Sequence, residues 1–317
     1  MTAIQLTPVD RVEILSVMDN SIDVLMGDTS VAKRHKRRPD ANMRPQLRAE
    51  HGVSMLVTSY QGNAKDAFLF DTGITVDGVL HNMDVLEIKG NELHAVVLSH
   101  GHTDHTRGLI GFIKRYGRPK IPIVLHPDAY LKRKNIQPDG RESEHMPPNK
   151  KDMEAEDVQI IEEVGPTMLI GNRALVTGQI PRTTGYEKGS PNQVALIDGE
   201  WKPDPWIHDD QAIVMNVKDK GLVVLTGCGH AGVINTLKHA VALTGVDRIH
   251  AVIGGFHLTG PIFEPIIAPT VQALKEFNLS VIVPQHCTGW KATHLIAREF
   301  PDAFVPNSVG TMMVIGS

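Results

Sequence analysis

The chain has 317 residues, 41% of them hydrophobic and 21% charged, and a formal net charge of −4 at pH 7. That balance supplies enough apolar side chains for a sizeable core, and its mild acidity argues against a dedicated nucleic-acid binder, which would present a basic face. No apolar run reaches the length of a membrane span, the N-terminus lacks a charged segment followed by a hydrophobic one, and two cysteines make no disulfide framework, so a cytoplasmic protein with reduced thiols is expected.

In chain order, strands are predicted near 12–17, 53–60 and 66–70, with a hairpin-like character. A polar stretch over 26–50, carrying Gly27 and the basic run Lys33 to Pro39, reads as an insertion, and the basic run as a solvated loop. Leu93-His94-Ala95-Val96-Val97-Leu98 is short, apolar and β-branched at its centre, as a buried strand should be. Leu109, Ile110, Ile113 and Tyr116 then recur at helical spacing. A second polar stretch over 127–157 contains Pro138, Pro147 and Pro148. Both polar stretches are expected over or beside the active-site face, where long loops most often carry function. From Ala212–Val217 onward the pattern alternates. Strands at 221–226, 249–253 and 281–283 are separated by helices at 233–243, 265–277 and 292–300, and Met312 to Ile315 is a closing strand. Such alternation predicts parallel strands with helices packed outside. No repeat or Pro/Gly-rich linker divides the chain, so one domain over 1–317 is expected.

Between the strand at 93–98 and the helix at 109 stands Ser99-His100-Gly101-His102-Thr103-Asp104-His105. A lone histidine is usually a surface or hydrogen-bonded residue; His100, His102, Asp104 and His105 together on one strand-to-helix turn point to a divalent metal. If the backbone stays extended through 100–104, its period of two puts His100, His102 and Asp104 on one side. Asp104 would also lie near the positive end of the following helix, which favours its ionised form. Imidazoles with a carboxylate suit zinc, with iron or manganese as alternatives, and the number of donors allows one or two ions.

His-x-His-x-Asp-His after a buried strand resembles the signature of the metallo-β-lactamase fold superfamily. Phe68 to Gly73, a strand ending in an acidic turn, is similar to the superfamily's preceding motif. Ala49 to Ser54, Thr226 to Gly232, Gly254 to Leu258 and His286 to Gly289 resemble the subfamily of 7,8-dihydropterin-6-methyl-4-(β-D-ribofuranosyl)aminobenzene-5′-phosphate synthases. The resemblance implies an α/β fold: an αβ/βα four-layer sandwich of two mixed sheets, helices on the outer faces and metals at one edge. It runs from about residue 12 to 315.

Three strand ends in the second half finish in a histidine: His230, His257 and His286, each with glycine nearby to let the backbone turn. His230 and His286 are expected as further metal ligands. His257 is a ligand, a catalytic group or a structural residue, and with Asp104 it is a candidate to handle a proton. The sequence departs from the superfamily at Gly227-Cys228, where most members carry a metal-bridging aspartate. Cys228 is either a thiolate ligand or a small buried residue, and the second is expected. Asp209 and Asp210 could replace the carboxylate, although their place before an apolar strand suggests a turn. The superfamily histidine between the two halves is not evident; His230 is the candidate to replace it. Asp71 is expected to brace the metal loop; Asn20, Glu50 and His51 either lie near the pocket or are ordinary turn and surface residues. Arg182 and Lys188 could hold a phosphate or sit in surface ion pairs. Trp290 could stack on a flat ring or pack on its helix.

A metal held with one position open lowers the pKa of bound water and polarises a carbonyl or phosphoryl oxygen. The first expectation is therefore a hydrolase using metal-bound hydroxide on a phosphoester, lactone or similar small substrate. The alternative follows the subfamily: a transferase joining a dihydropterin diphosphate to a ribofuranosylaminobenzene phosphate. A non-catalytic binding protein is the third. The partner is a small molecule, phosphorylated or pterin-like, without nucleic acid or membrane, and homo-oligomerisation is left open.

Overall fold

In the computed structural model, residues 3–36, 40, 45–117 and 120–317 are described. Two large sheets face each other. The first has eight strands in the order Ala32–Lys33, Met312–Gly316, Arg11–Met18, Ser54–Gln61, Ala64–Phe70, Val96–Val97, Pro122–Leu125 and Gln159–Glu162. The second has six: Thr167–Leu169, Ala174–Val176, Ala212–Val217, Gly221–Thr226, Ile249–Gly255 and Val281–Gln285.

The layering follows from side-chain alternation along the strands. In Gly221–Thr226, Val223 and Leu225 point into the core between the sheets, where they meet Val12, Ile14, Val57, Phe68 and Phe70. Leu222 and Val224 point the other way, onto Leu237 and Ala240 of the helix Val233–Thr244, with Val271 and Ile296 of the next two helices in the same cluster. The outer face of the first sheet packs Leu69, Val96 and Leu98 against Val79 and Met83 of the helix Gly78–Val85 and Phe112 of the helix Leu109–Tyr116. Strands buried on both faces read as near-continuous apolar runs, which is why this half of the sequence was legible. The result is the expected four-layer αβ/βα sandwich.

Three features depart from the sequence reading. The strand before the metal motif is shorter than expected, Val96–Val97, although Ala95 and Leu98 still bond to the neighbouring strands through Leu69 and Val124. The closing strand Met312–Gly316 leaves the parallel run and pairs antiparallel with Arg11–Met18 in the first sheet. The polar stretch at 127–157 is built structure: Arg133–Ile136 and Glu142–His145 join Gln193–Ile197 and Glu200–Pro203 in a third, four-stranded sheet. In the stretch at 26–50, Ala32–Lys33 pairs with Met312–Gly316; residues 37–39 of the basic run lie outside the described residues. Among the described residues no helix is long and apolar enough to cross a membrane.

Candidate metal centre

The parallel strands of both sheets end at one edge, and the histidines collect there. The backbone is extended at His102 but turns helical over Thr103–Thr106, because Thr106 Oγ1 and the His105 amide both return to the His102 carbonyl. The motif is therefore not extended through 104. His100 and His102 stay together, with ring centroids 4.5 Å apart, while Asp104 swings toward His105 and His286. Asp104 does lie in the first turn of a helical segment, as expected. Gly101 is required by a close approach: a Cβ there would stand 2.1 Å from the Ala129 carbonyl oxygen.

Four groups of donor atoms result, each with all members within 4.8 Å of one another: Asp104, His105, Cys228 and His286; His100, Cys228 and His230; His102, Asp104 and His145; and Cys228, His257 and Cys287. All six residues expected as ligands thus come together, and Cys228 belongs to three of the groups. Its Sγ lies 3.1 Å from His105 Nε2. It occupies the end of Gly221–Thr226 where a superfamily aspartate was expected, and Gly227 before it leaves the space that Ser99 Oγ and Asp71 fill.

Asp71 braces the loop. Its carboxylate accepts from the Ser99 amide and hydroxyl, 2.7 Å each, and stands 2.7 Å from His105 Nδ1. Asp209 and Asp210 are also braces, not replacement ligands: Asp209 accepts from the Gly101 amide at 2.7 Å and pairs with buried Arg133, and Asp210 accepts from the Ala231 amide at 2.7 Å. Asn20 donates to the His286 carbonyl and its Oδ1 lies 3.0 Å from His286 Nδ1. His51 Nε2 is 3.6 Å from Asp104 Oδ2, with its ring against His286; Glu50 turns away to accept from Thr75.

Burial keeps the His100, His102 and His230 imidazoles well below their ordinary pKa, and neighbouring imidazoles push the same way, so they are neutral. Neutral imidazole is the form that binds metal. His105 differs: burial is outweighed by Asp104 and Asp71, which raise it to about 9. Burial also raises the Cys228 thiol well above its usual value. His100 Nε2 and both ring nitrogens of His230 are buried without a hydrogen-bond partner among the described residues. Buried polar atoms are normally satisfied, so this edge fits divalent cations.

The donors open into a cavity of about 240 Å³. Its other wall comes from the third sheet and the residues flanking its strands: Asn135, Gln137, His145, Asn192 and Gln193. His145 stacks on His102 with ring centroids 4.0 Å apart, and Gln193 Nε2 is 3.2 Å from His102 Nε2. Sequence reasoning missed His145, a lone histidine in a polar strand, and treated Cys287 only as a reduced thiol; neither carries a local signal. His257 lines the cavity beside His230, with ring centroids 4.1 Å apart. Arg182 is not available to a phosphate, because it donates to the carbonyls of Ile180, Trp206 and Ile207; Lys188 is exposed. Trp290 is 77% exposed at a helix start, outside the cavity lining.

Residues 47–243 match the Metallo-beta-lactamase superfamily. The 7,8-dihydropterin-6-methyl-4-(beta-D-ribofuranosyl)-aminobenzene-5'-phosphate synthase of Methanocaldococcus jannaschii is 30% identical over 269 residues, 81% of this chain and 87% of that protein. An uncharacterized protein of the same organism is 30% identical over 271 residues, 84% and 94% of the respective chains. Among solved structures, Tm1679, described as a metal-dependent hydrolase of the beta-lactamase superfamily, has a TM-score of 0.72 at 25% identity, covering 96% of this chain and all of that one. The metallo-beta-lactamase fold protein YhfI from Bacillus subtilis shares the fold, with a TM-score of 0.52 at 13% identity, covering 96% and 100% of the two chains. With its motif, layers and donor-lined edge, the chain belongs to the metallo-β-lactamase superfamily.

Proposed function

We propose that the protein is a metal-dependent enzyme that joins a dihydropterin carrying a diphosphate to a phosphorylated arylamine; its M. jannaschii relative is named as a synthase of such a coupled product. The observation that carries this reading is the wall opposite the donors. Asn135, Gln137, Asn192 and Gln193 offer carboxamides, and among the described residues no lysine or arginine lines the cavity. Each carboxamide both donates and accepts, which suits the alternating donors and acceptors of a pterin edge. His100, His102, Asp104, His105, His230 and His286 would hold one or two divalent ions, zinc in the first place. Such an ion supplies positive charge to the oxygens of a departing diphosphate.

The chain's own residues do the rest. The arylamine nitrogen attacks the pterin methylene carbon, the carbon–oxygen bond to diphosphate breaks, and the amine loses one proton. His51 is placed to take it: its ring is exposed at the mouth of the cavity, and Asp104, 3.6 Å away, favours the imidazolium that forms. His145 and Gln193 fix the His102 ring from the side of the third sheet.

Hydrolysis is the second reading, favoured by the likeness to Tm1679. The two separate in one experiment. Zinc-loaded protein is incubated with a dihydropterin methyl diphosphate and a 4-alkylaniline phosphate, and in parallel with a phosphodiester and a lactone. Mass spectrometry should find the coupled amine and free diphosphate. Turnover of the phosphodiester or lactone, with no coupled product, would overturn the transferase reading in favour of the hydrolase.

A further inference from the structure

Cys287 lies in none of the donor groups assigned to the reaction above, yet it is buried directly against them. Its Sγ donates to the Cys228 carbonyl at 3.3 Å, and Cys228 Sγ, Cys287 Sγ and a ring nitrogen of His257 all lie within 4.8 Å of one another. These are the only two cysteines in the chain. His257 Nδ1 is buried with no hydrogen-bond partner among the described residues, a state that normally carries a cost. The backbone at His257 is left-handed, with φ 45°, a conformation that a non-glycine residue holds only when its surroundings impose it. Gly255 keeps the space open: a Cβ there would stand 2.8 Å from Cys287 Sγ and 2.4 Å from the Gly227 carbonyl oxygen.

We propose that Cys228, His257 and Cys287 form a third, thiolate-rich metal site at the rear of the cavity, which takes a thiophilic closed-shell cation such as zinc or cadmium. Two sulfurs and one imidazole are a softer set than the imidazole and carboxylate donors around Asp104, so this site favours cadmium more strongly than the histidine cluster does. All three side chains line the cavity. A cation held by these three donors would keep a further position for solvent or a substrate atom. Binding displaces the two thiol protons to solvent. Cys228 faces both regions, so its sulfur links the soft site to the histidine cluster. His257 on this account is a ligand and does not move the substrate's proton.

The test uses full-length protein, stripped of metal, kept reduced and anaerobic, and titrated with Cd2+. Near-ultraviolet absorption from thiolate-to-cadmium charge transfer should reach the intensity of two thiolates in the wild type and of one in Cys287→Ser, and should vanish in Cys228→Ser/Cys287→Ser. It should survive in His100→Ala/His102→Ala, a variant that removes the cluster invoked for catalysis. Failure of the soft site is thus distinguishable from failure of the enzymatic reading. Unchanged intensity in Cys287→Ser, or loss of the band in the histidine double variant, would overturn the proposal. The 113Cd resonance of the wild-type protein counts thiolates without any substitution, and a position typical of one sulfur or none would overturn it as well.

Discussion

Asp71 and His105 form a fully buried pair, with 2.7 Å between the carboxylate Oδ2 and Nδ1, and this contact fixes which nitrogen of His105 faces the cluster. With Nδ1 committed to Asp71, Nε2 points to Cys228 and Asp104. Carboxylate partners of ligating histidines typically contribute about 10–100-fold in metal affinity. Asp71→Asn should lower zinc affinity by about that factor while the fold stays intact, as read by competition with a chromophoric chelator. Unaltered affinity would show that His105 is not a ligand.

Replacing both His100 and His102 with alanine should strip metal from the protein. The side chains end a strand at the sheet edge and do not build the apolar core, so far-ultraviolet circular dichroism should be retained. Elemental analysis of the purified double variant checks this, and full occupancy would refute the assignment.

His51 is exposed and meets the cluster at its rim, beside the Asp104 carboxylate and the His286 ring, so its loss should affect chemistry more than fold. His51→Gln should lower turnover by about 10²–10⁴-fold, the usual range for a general base, with metal content and melting temperature unchanged. A turnover equal to that of the wild type would remove His51 from the reaction.

Arg133 couples the third sheet to the metal loop. Its guanidinium is 1% exposed and pairs with Asp204 at 2.7 Å and Asp209 at 2.8 Å, while Asp209 also accepts from the Gly101 amide. Arg133→Met would leave two buried carboxylates without a partner. Urea denaturation should report a loss of about 3–5 kcal/mol, the range for breaking a buried pair from one side. A loss below about 1 kcal/mol, the scale of exposed pairs, would mean that the carboxylates find solvent.

Glu187 gives a pH dependence whose sign can be stated. Its buried carboxylate accepts from the Ile234 and Asn235 amides at 2.9 Å each, at the start of the helix Val233–Thr244. Burial, the larger effect, raises its pKa above the ordinary value despite those bonds. The unfolded chain therefore releases this proton first. The stability tied to protonated Glu187 is complete below the usual glutamate range and is lost as pH rises through the higher folded value. In Glu187→Gln the unfolding free energy should fall less steeply over that interval, and identical slopes in the two proteins would refute the account.

Much of this was legible in the residues, for identifiable reasons. The motif at 100–105 is local, so neighbours in sequence are neighbours in space. His230, His257 and His286 each follow an apolar strand, and parallel strands bring such ends to one edge. What stayed hidden depends on contacts between distant segments. His145 reaches His102 only because a polar insertion folds into its own sheet. Arg133 finds Asp204 and Asp209 across that sheet, with no periodicity to announce it. The helical turn at Thr103–Thr106 defeated the extended reading because a local hydrogen-bond choice, made by Thr106, has no signature in hydrophobic pattern.

The pairing of Arg11–Met18 with both Ser54–Gln61 and Met312–Gly316 has a consequence for how the chain is made. The ribosome delivers the first strand and Ser54–Gln61 long before Met312–Gly316, the partner for its other side. Until Met312–Gly316 has emerged, Arg11–Met18 lacks its partner on that side, and such an unpaired ladder is the kind of edge on which other chains dock. Val12, Ile14, Val17 and Met18, all buried in the folded protein, belong to this strand. The arrival of Met312–Gly316, rather than collapse of the core, is the event that covers this ladder against other chains.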